Sequence, residues 1–114
     1  MKRIFISGAL NSNSVGFLKN VRKMNQVTGA VRKLGVRYYN PIDDLLTSLI
    51  CGCEEHQSFL EWDLMELEYC DALLLVPGYE NSPGVKGERE KAKSLGLPEF
   101  KCICELKKWL ELND

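Results

Sequence analysis

Apolar residues follow two different periods along this chain, and the two periods alternate. Short apolar runs bounded by turn residues predict four β-strands, near residues 3–7, 36–39, 71–76 and 99–104. Between them, apolar residues recur at intervals of three and four, the spacing of one helical face. This spacing predicts helices that begin near Ser14, at 56–70 and at 82–95, and a last short one carrying Leu106, Trp109 and Leu110.

Strands that alternate with helices predict a parallel sheet covered on both faces, in one α/β domain spanning residues 1–114. We expect a three-layer, Rossmann-like (flavodoxin-like) sheet of about four strands in the spatial order 2-1-3-4. The run 71–76 fits a central strand because it is apolar without alternation. In open sheets of this kind, ligands bind beyond the carboxyl ends of the strands. The expected site therefore lies among loops 8–14, 40–56 and 77–82.

Two acidic residues interrupt apolar helical faces on either side of the strand 71–76. One face reads Leu60, Asp63, Leu67, Cys70, and the other reads Val85, Glu88, Ala92, Leu95. A desolvated carboxylate is costly unless it is paired, hydrogen-bonded or protonated. Two such residues flanking one buried strand indicate a functional site.

The heights of these two acids can be compared along the strand between them. Asp63 lies about 12 Å above the start of the strand and Glu88 about 11 Å, at roughly 1.5 Å per helical residue and 3.3 Å per strand residue. The heights alone leave open whether both helices cover the same face of the sheet. The structural alternative is that each acid forms a salt bridge, with Lys86 or Arg89 as candidate cations.

The segment Ser82-Pro83-Gly84 has the composition of a helix start next to a ligand. Ser82 is a natural N-cap and Pro83 a natural first helical residue. Gly84 would let a ligand approach the backbone at the helix N-terminus. A helix start without a ligand explains the serine and the proline but explains the glycine less well.

At these residues the chain resembles the nucleoside 2-deoxyribosyltransferase family and its relative, the 2′-deoxynucleoside 5′-phosphate N-glycosidase. The matching block runs from Asp63 through Cys70-Asp71-Ala-Leu-Leu-Leu-Val-Pro-Gly and continues with Ser82-x-Gly84-x-x-x-Glu88. The opening Phe5-Ile6-Ser7-Gly8 resembles the family's first strand and glycine turn. The chain is most similar to short bacterial and phage members of this group.

The resemblance implies a role for each matching residue. Glu88 matches the nucleophile that attacks the anomeric carbon of a 2-deoxyriboside, and Asp63 matches the carboxylate that assists proton transfer to the leaving base. Ser82 matches the serine of the phosphate-hydrolysing relative, which favours a nucleotide 5′-phosphate. Phe5 departs from the family, because a tyrosine there orients the nucleophile. Nearby carboxylates stabilise the oxocarbenium-like sugar of such a reaction.

The resemblance further implies a small-molecule nucleoside or nucleotide as substrate, no cofactor, no metal and a homo-oligomer, most simply a dimer. Candidate apolar residues for the dimer contact are Leu45, Leu46, Leu49 and Ile50. The substrate-binding residues that we expect are Ser7, Gly8, Asn11, Ser82 and Gly84. We also expect Glu88 to stay ionised near a helix N-terminus and Asp63 to carry the proton.

Composition excludes several other classes of protein. The 114 residues carry a net charge of −1, which leaves no basic surface for nucleic acid or for an anionic membrane. No apolar run reaches transmembrane length and the first residues do not form a signal peptide, so we expect a cytoplasmic protein. Five cysteines, an odd number, then favour free thiols.

Three alternatives stay open at this point. The pairs Cys51/Cys53 and Cys102/Cys104 could bind zinc, although their spacing is unusual and Cys102 and Cys104 also fit one face of a strand. The chain could hold a nucleotide in the same crevice without turnover, or it could be a protein-interaction domain with surface anchors such as His56, Trp62 and Tyr79.

Overall fold

The computed structural model describes residues 2–9, 14–41 and 62–113. Helix α2 is described over residues 62–66 and continues into a 3₁₀ turn, Leu67–Tyr69. The strands are β1 (Arg3–Ser7), β2 (Arg37–Tyr39), β3 (Ala72–Leu75) and β4 (Glu99–Phe100). The remaining helices are α1 (Ser14–Lys33), α3 (Pro83–Ser94) and α4 (Ile103–Asn113).

The four strands form one parallel sheet in the order β2-β1-β3-β4. This confirms the predicted α/β class and the predicted order 2-1-3-4. Strand β3 is central, and all four of its residues are buried. The chain leaves β1 toward β2 on one side and returns to β3 on the other, so the carboxyl ends of β1 and β3 border the point where the strand order reverses.

Two apolar layers cover the two faces of the sheet. Successive residues of a strand point to opposite faces, so Ile4 and Ile6 lie on one face of the sheet and Phe5 lies on the other. The first cluster joins sheet residues to α1 and α4 through Ile4, Ile6, Met24, Val31, Val36, Ala72, Leu74, Val76, Leu106 and Leu110. The second cluster joins the other face to α2 and α3 through Phe5, Leu67, Cys70, Leu73, Leu75, Val85 and Ala92. The result is the predicted three-layer architecture.

The C-terminal end of α3 explains why one residue of the predicted apolar face is exposed. Leu95 was expected to be buried, but the helix ends at Ser94 and Gly96 takes a φ of 74°. The backbone N–H of Leu97 donates to the carbonyl of Ala92 (2.9 Å), as in a Schellman motif. This reversal turns Leu95 outward and packs Leu97 against the second cluster.

The predicted fourth strand is too long, because the chain bends after Phe100 and a helix begins at Ile103. β4 ends at Phe100 and α4 begins at Ile103, so Cys102 and Cys104 do not form one face of a strand. The helical spacing of apolar residues prevails because Ile103, Leu106 and Leu110 pack on the first cluster. Both cysteines are exposed instead.

A pair of glycine substitutions tests the packing of β1 against α1. A Cβ atom on Gly8 would lie 3.0 Å from Met24 Cγ and 3.1 Å from Val76 Cβ, so Gly8→Ala overpacks the junction. We expect a loss of about 1–2 kcal/mol in the free energy of unfolding. Gly29 lies within α1 and its Cβ would meet nothing within 4 Å, so Gly29→Ala should gain about 0.5–1 kcal/mol. Urea denaturation measures both, and equal effects would contradict the packing explanation.

Candidate active site

Both acids interrupting the helical faces are buried on the same face of the sheet. Asp63 on α2 is 3% exposed and Glu88 on α3 is 7% exposed. Their helices share the second cluster, since Leu67 and Val85 both belong to it. The charge of Asp63 is close enough to raise the pKa of Glu88. The structure thus settles the question that the comparison of heights left open, and the two carboxyl groups form a pair.

Ser7 holds the Glu88 carboxyl group at the end of β1. Its hydroxyl donates to Glu88 Oε1 at 2.5 Å, and both side chains are buried. Ser7 faces the same layer as Phe5 because the two residues are two positions apart on the strand. Its partner in the sheet is Leu75, so the contact lies at the carboxyl ends of β1 and β3. The structure therefore brings the predicted residues Ser7 and Glu88 together.

Tyr39 contacts the second carboxyl group, and the sequence did not point to it. It is the last residue of β2, and its hydroxyl donates to Asp63 Oδ1 at 2.9 Å. Its ring packs on Phe5 with a centroid separation of 5.3 Å. The sequence did offer one signal for this role, a tyrosine at the carboxyl end of the strand predicted to lie next to β1.

Burial controls the protonation of Glu88. Desolvation raises its pKa from 4.5 to about 8, the Ser7 hydroxyl opposes this shift, and the charge of Asp63 adds to it. Glu88 is the sixth residue of α3, beyond the first turn where the helix dipole stabilises an anion. The shift is opposite to the expectation that Glu88 stays ionised. At neutral pH a carboxyl group with a pKa of about 8 is mostly protonated.

Arg89, a candidate cation for Glu88, pairs with another acid. Arg89 Nε donates to Glu99 Oε1 at 2.5 Å, and Lys91 pairs with Glu68 at 3.2 Å. Within the described ranges, no ion pair involves Glu88. The structural alternative in which Arg89 neutralises Glu88 is therefore wrong.

The other predicted binding residues have different surroundings. The Ser82 hydroxyl caps α3 by accepting from the backbone N–H of Val85 (3.3 Å), as predicted for an N-cap, and Gly84 is partly buried in the same turn. Ser82 also lines a cavity of about 560 Å³ together with Tyr79, Lys86 and Arg89. Gly8 is explained by its close packing on Met24 and Val76.

Several predicted residues lie outside the described part of the chain: Asn11, Cys51, Cys53 and His56, with Leu45, Leu46, Leu49, Ile50 and Leu60. Among described residues, no group of three or more His, Cys, Asp or Glu side chains is placed to hold a metal ion. Cys70 is buried in the second cluster, and burial raises the pKa of its thiol to about 11. In the described ranges, no helix is both long enough and apolar enough to span a membrane.

Fold and site together define a three-layer parallel α/β domain with a buried carboxyl pair at the point where the strand order reverses. Residues 2–100 match the family described as "Domain of unknown function (DUF4406)". The chain therefore belongs to the DUF4406 family. A comparison with curated proteins found no match.

The raised pKa of Glu88 makes a prediction about stability. The folded chain keeps this proton up to about pH 8, whereas an ordinary glutamate loses it near 4.5. Between these values the folded state binds more protons than the unfolded state, so the contribution of Glu88 to stability falls as pH rises. Glu88→Gln lacks this loss, so its free energy of unfolding should rise relative to that of the parent by roughly 2–5 kcal/mol from pH 4.5 to pH 8.

Denaturant unfolding of both proteins at a series of pH values measures this difference. Glu90→Gln is the matched control because Glu90 lies on the same helix and is exposed. The difference in free energy of unfolding between Glu90→Gln and the parent should not change with pH. A Glu88→Gln difference that is equally flat would show that Glu88 does not hold its proton.

Proposed function

We propose that this protein cleaves or transfers the N-glycosidic bond of a 2′-deoxynucleoside or its 5′-monophosphate, with Glu88 as nucleophile and Asp63 as proton donor. The observation that carries the proposal is the buried Glu88–Asp63 pair, with the Ser7 hydroxyl on Glu88. Two carboxyl groups at the carboxyl ends of parallel strands suit a cationic, oxocarbenium-like transition state. The resemblance to the nucleoside 2-deoxyribosyltransferase family supports the same assignment.

The chemistry requires one proton and one negative charge on the pair. A carboxylate oxygen of Glu88 forms a bond to the anomeric carbon while the bond to the base nitrogen breaks. Asp63 gives its proton to the departing base, and the sugar stays on Glu88 until water or a second base displaces it. With its pKa raised to about 8, Glu88 is mostly protonated at neutral pH, so the mechanism requires Glu88 to lose its proton and Asp63 to hold one before the attack.

A nucleotide 5′-phosphate is the favoured substrate form. Ser82, Lys86 and Arg89 line one cavity at the N-terminus of α3, and two of them are cationic residues. Ser82 lies six residues before Glu88, which is about 9 Å along a helix. Such a distance suits a ligand with the anomeric carbon at Glu88 and the 5′-phosphate near Ser82.

A second candidate function is nucleotide binding without turnover. Phe5 supports it, because this residue places an apolar ring on Tyr39 where the family that the chain resembles has a hydroxyl. The proton on Glu88 at neutral pH supports it as well, since a neutral carboxyl group is a poor nucleophile. The two functions differ in one measurement, the release of free base.

Incubation with 2′-deoxynucleosides and with their 5′-monophosphates, followed by chromatography, tests the proposal. We expect free base, with the monophosphates preferred, and Glu88→Gln should lower the rate by at least about a hundredfold. Glu90→Gln, exposed on the same helix, should retain the parent rate. A rise in melting temperature with a nucleotide but no release of base would favour binding without turnover. No response to any nucleotide would favour a protein-interaction domain.

The pH dependence of kcat/KM tests the shared proton. Above about pH 8 Glu88 loses its proton, so in the proposed mechanism it no longer supplies the proton that Asp63 passes to the base. We expect kcat/KM to fall about tenfold per pH unit above this value. A rate that instead rises through pH 8 would exclude the pair as the source of the proton.

We also propose a twofold dimer, and an exposed apolar face of α2 supports it. Trp62, Met65 and Tyr69 are 48%, 59% and 71% exposed and follow helical spacing beside Asp63. A partner chain that covered this face would approach the candidate site. The dimer is a prediction that sedimentation can check.

Charge on that face should separate the subunits. Met65→Glu should convert a dimer of about 26 kDa (twice the 13.0 kDa chain) into monomers, because a buried charge is costly at an interface. Leu112→Glu is the control, since Leu112 is 85% exposed on α4. A parent protein that sediments as a monomer at micromolar concentration would contradict the dimer.

A further inference from the structure

We propose that Tyr39 is a positioning residue whose hydroxyl holds the Asp63 carboxyl group in place opposite Glu88. The inference rests on the proposed function for its catalytic meaning. It adds to that function a residue on β2 that the sequence did not identify.

The geometry places one hydroxyl on each carboxyl group of the pair. Ser7 ends β1 and donates to Glu88, and Tyr39 ends β2 and donates to Asp63. Both donors reach the second face from the carboxyl ends of adjacent parallel strands. The Tyr39 ring packs on its register partner Phe5, so its hydroxyl is held at a fixed height above the sheet.

Charged groups around Tyr39 suggest a competing structural explanation. Arg3 Cζ lies 5.8 Å from the centroid of the Tyr39 ring, and Arg3 pairs with Glu66 at 3.0 Å. The backbone N–H of Arg3 donates to Asp71 Oδ2 at 2.8 Å. Glu66 lies three residues after Asp63 on α2, so among the described residues both an ion pair and a hydrogen bond connect this helix to the sheet. If Tyr39 has only a structural role, its hydrogen bond to Asp63 attaches α2 to the sheet in the same way as the Arg3–Glu66 ion pair does.

The positioning role has a consequence that a structural contact lacks. A hydroxyl that donates to a carboxylate stabilises its charged form and fixes its direction. The charge of Asp63 contributes to the raised pKa of Glu88, next to the larger effect of burial. Removing the Tyr39 hydroxyl should therefore lower the pKa of Glu88, although Glu88 does not touch Tyr39 in the described contacts.

Carbon-13 NMR of protein labelled at the glutamate carboxyl carbons measures this without any substrate. The Glu88 resonance is assigned by its loss in Glu88→Gln. Asp63→Asn removes the charge of Asp63, and its Glu88 midpoint shows how much that charge contributes in the parent. Tyr39→Phe keeps the ring on Phe5 and removes the hydroxyl. We expect its Glu88 midpoint to fall from about pH 8 toward the Asp63→Asn value.

Two variants serve as matched controls. Tyr38→Phe removes the hydroxyl of the preceding tyrosine, whose ring packs on the first cluster at the other face. Glu66→Gln weakens the second contact between α2 and the sheet. Both should leave the Glu88 midpoint unchanged. The proposal is overturned if Glu66→Gln shifts the Glu88 midpoint as much as Tyr39→Phe does. It is also overturned if the midpoint is unchanged in Tyr39→Phe or in Asp63→Asn, or if the Tyr39→Phe chain does not fold.

Base release then adds a kinetic readout to the same variants. In an active protein, Tyr39→Phe should lower kcat by about tenfold to a hundredfold with little change in KM, because a misplaced acid affects the chemical step. A changed KM at constant kcat would instead assign Tyr39 to substrate binding and overturn the positioning role. If the parent releases no base while the NMR shift is observed, the proposed function fails and the placement of Asp63 by Tyr39 stands.

Discussion

Burial of the Glu88 carboxyl group is the constraint on which the rest of the site depends. Val85 and Ala92 fix α3 on the second face of the sheet, and Glu88 lies between them on the same helical face. The helix cannot pack without taking the carboxyl group out of water. The Ser7 hydroxyl at the end of β1 supplies a partner, but one neutral donor does not replace hydration. The proton that Glu88 keeps up to about pH 8 is the physical result.

The strand order turns this local constraint into a site with two acids. With β1 between β2 and β3, the hydroxyls of Ser7 and Tyr39 emerge from adjacent strand ends. Helices α2 and α3 cover the same face, so each brings one carboxyl group to one of these hydroxyls. The reversal of strand order therefore does more than open a crevice for a ligand. It also places two acids on one face of the sheet, where burial and the charge of Asp63 both raise the pKa of Glu88.

The periodicity predicted the sheet order and both buried acids because these depend on local spacing and on the rules for parallel sheets. The cap at Ser82 was readable for the same reason. Tyr39 was not, because its role depends on register with Phe5 and on the placement of α2, which are tertiary facts. The start of α4 was missed because the residues after Phe100 favour a strand locally, while packing of Leu106 on the first cluster favours a helix. The protonation of Glu88 needed the depth of burial, which no sequence pattern gives.

A buried carboxyl group is expensive to keep when no described residue forms an ion pair with it, and this cost supports the chemical role that we propose for Glu88. The ion pairs of the described residues use the carboxylates of Glu66, Glu68 and Glu99, at or near the surface. Each of those could be lost with little effect on stability. Glu88 works in the opposite direction, since its burial lowers stability as pH rises through the neutral range. A leucine or glutamine there would pack the same helix without that penalty. This penalty is what the proposed chemical role would explain, since that role needs the acid where it is, between the hydrogen bonds of Ser7 to Glu88 and of Tyr39 to Asp63.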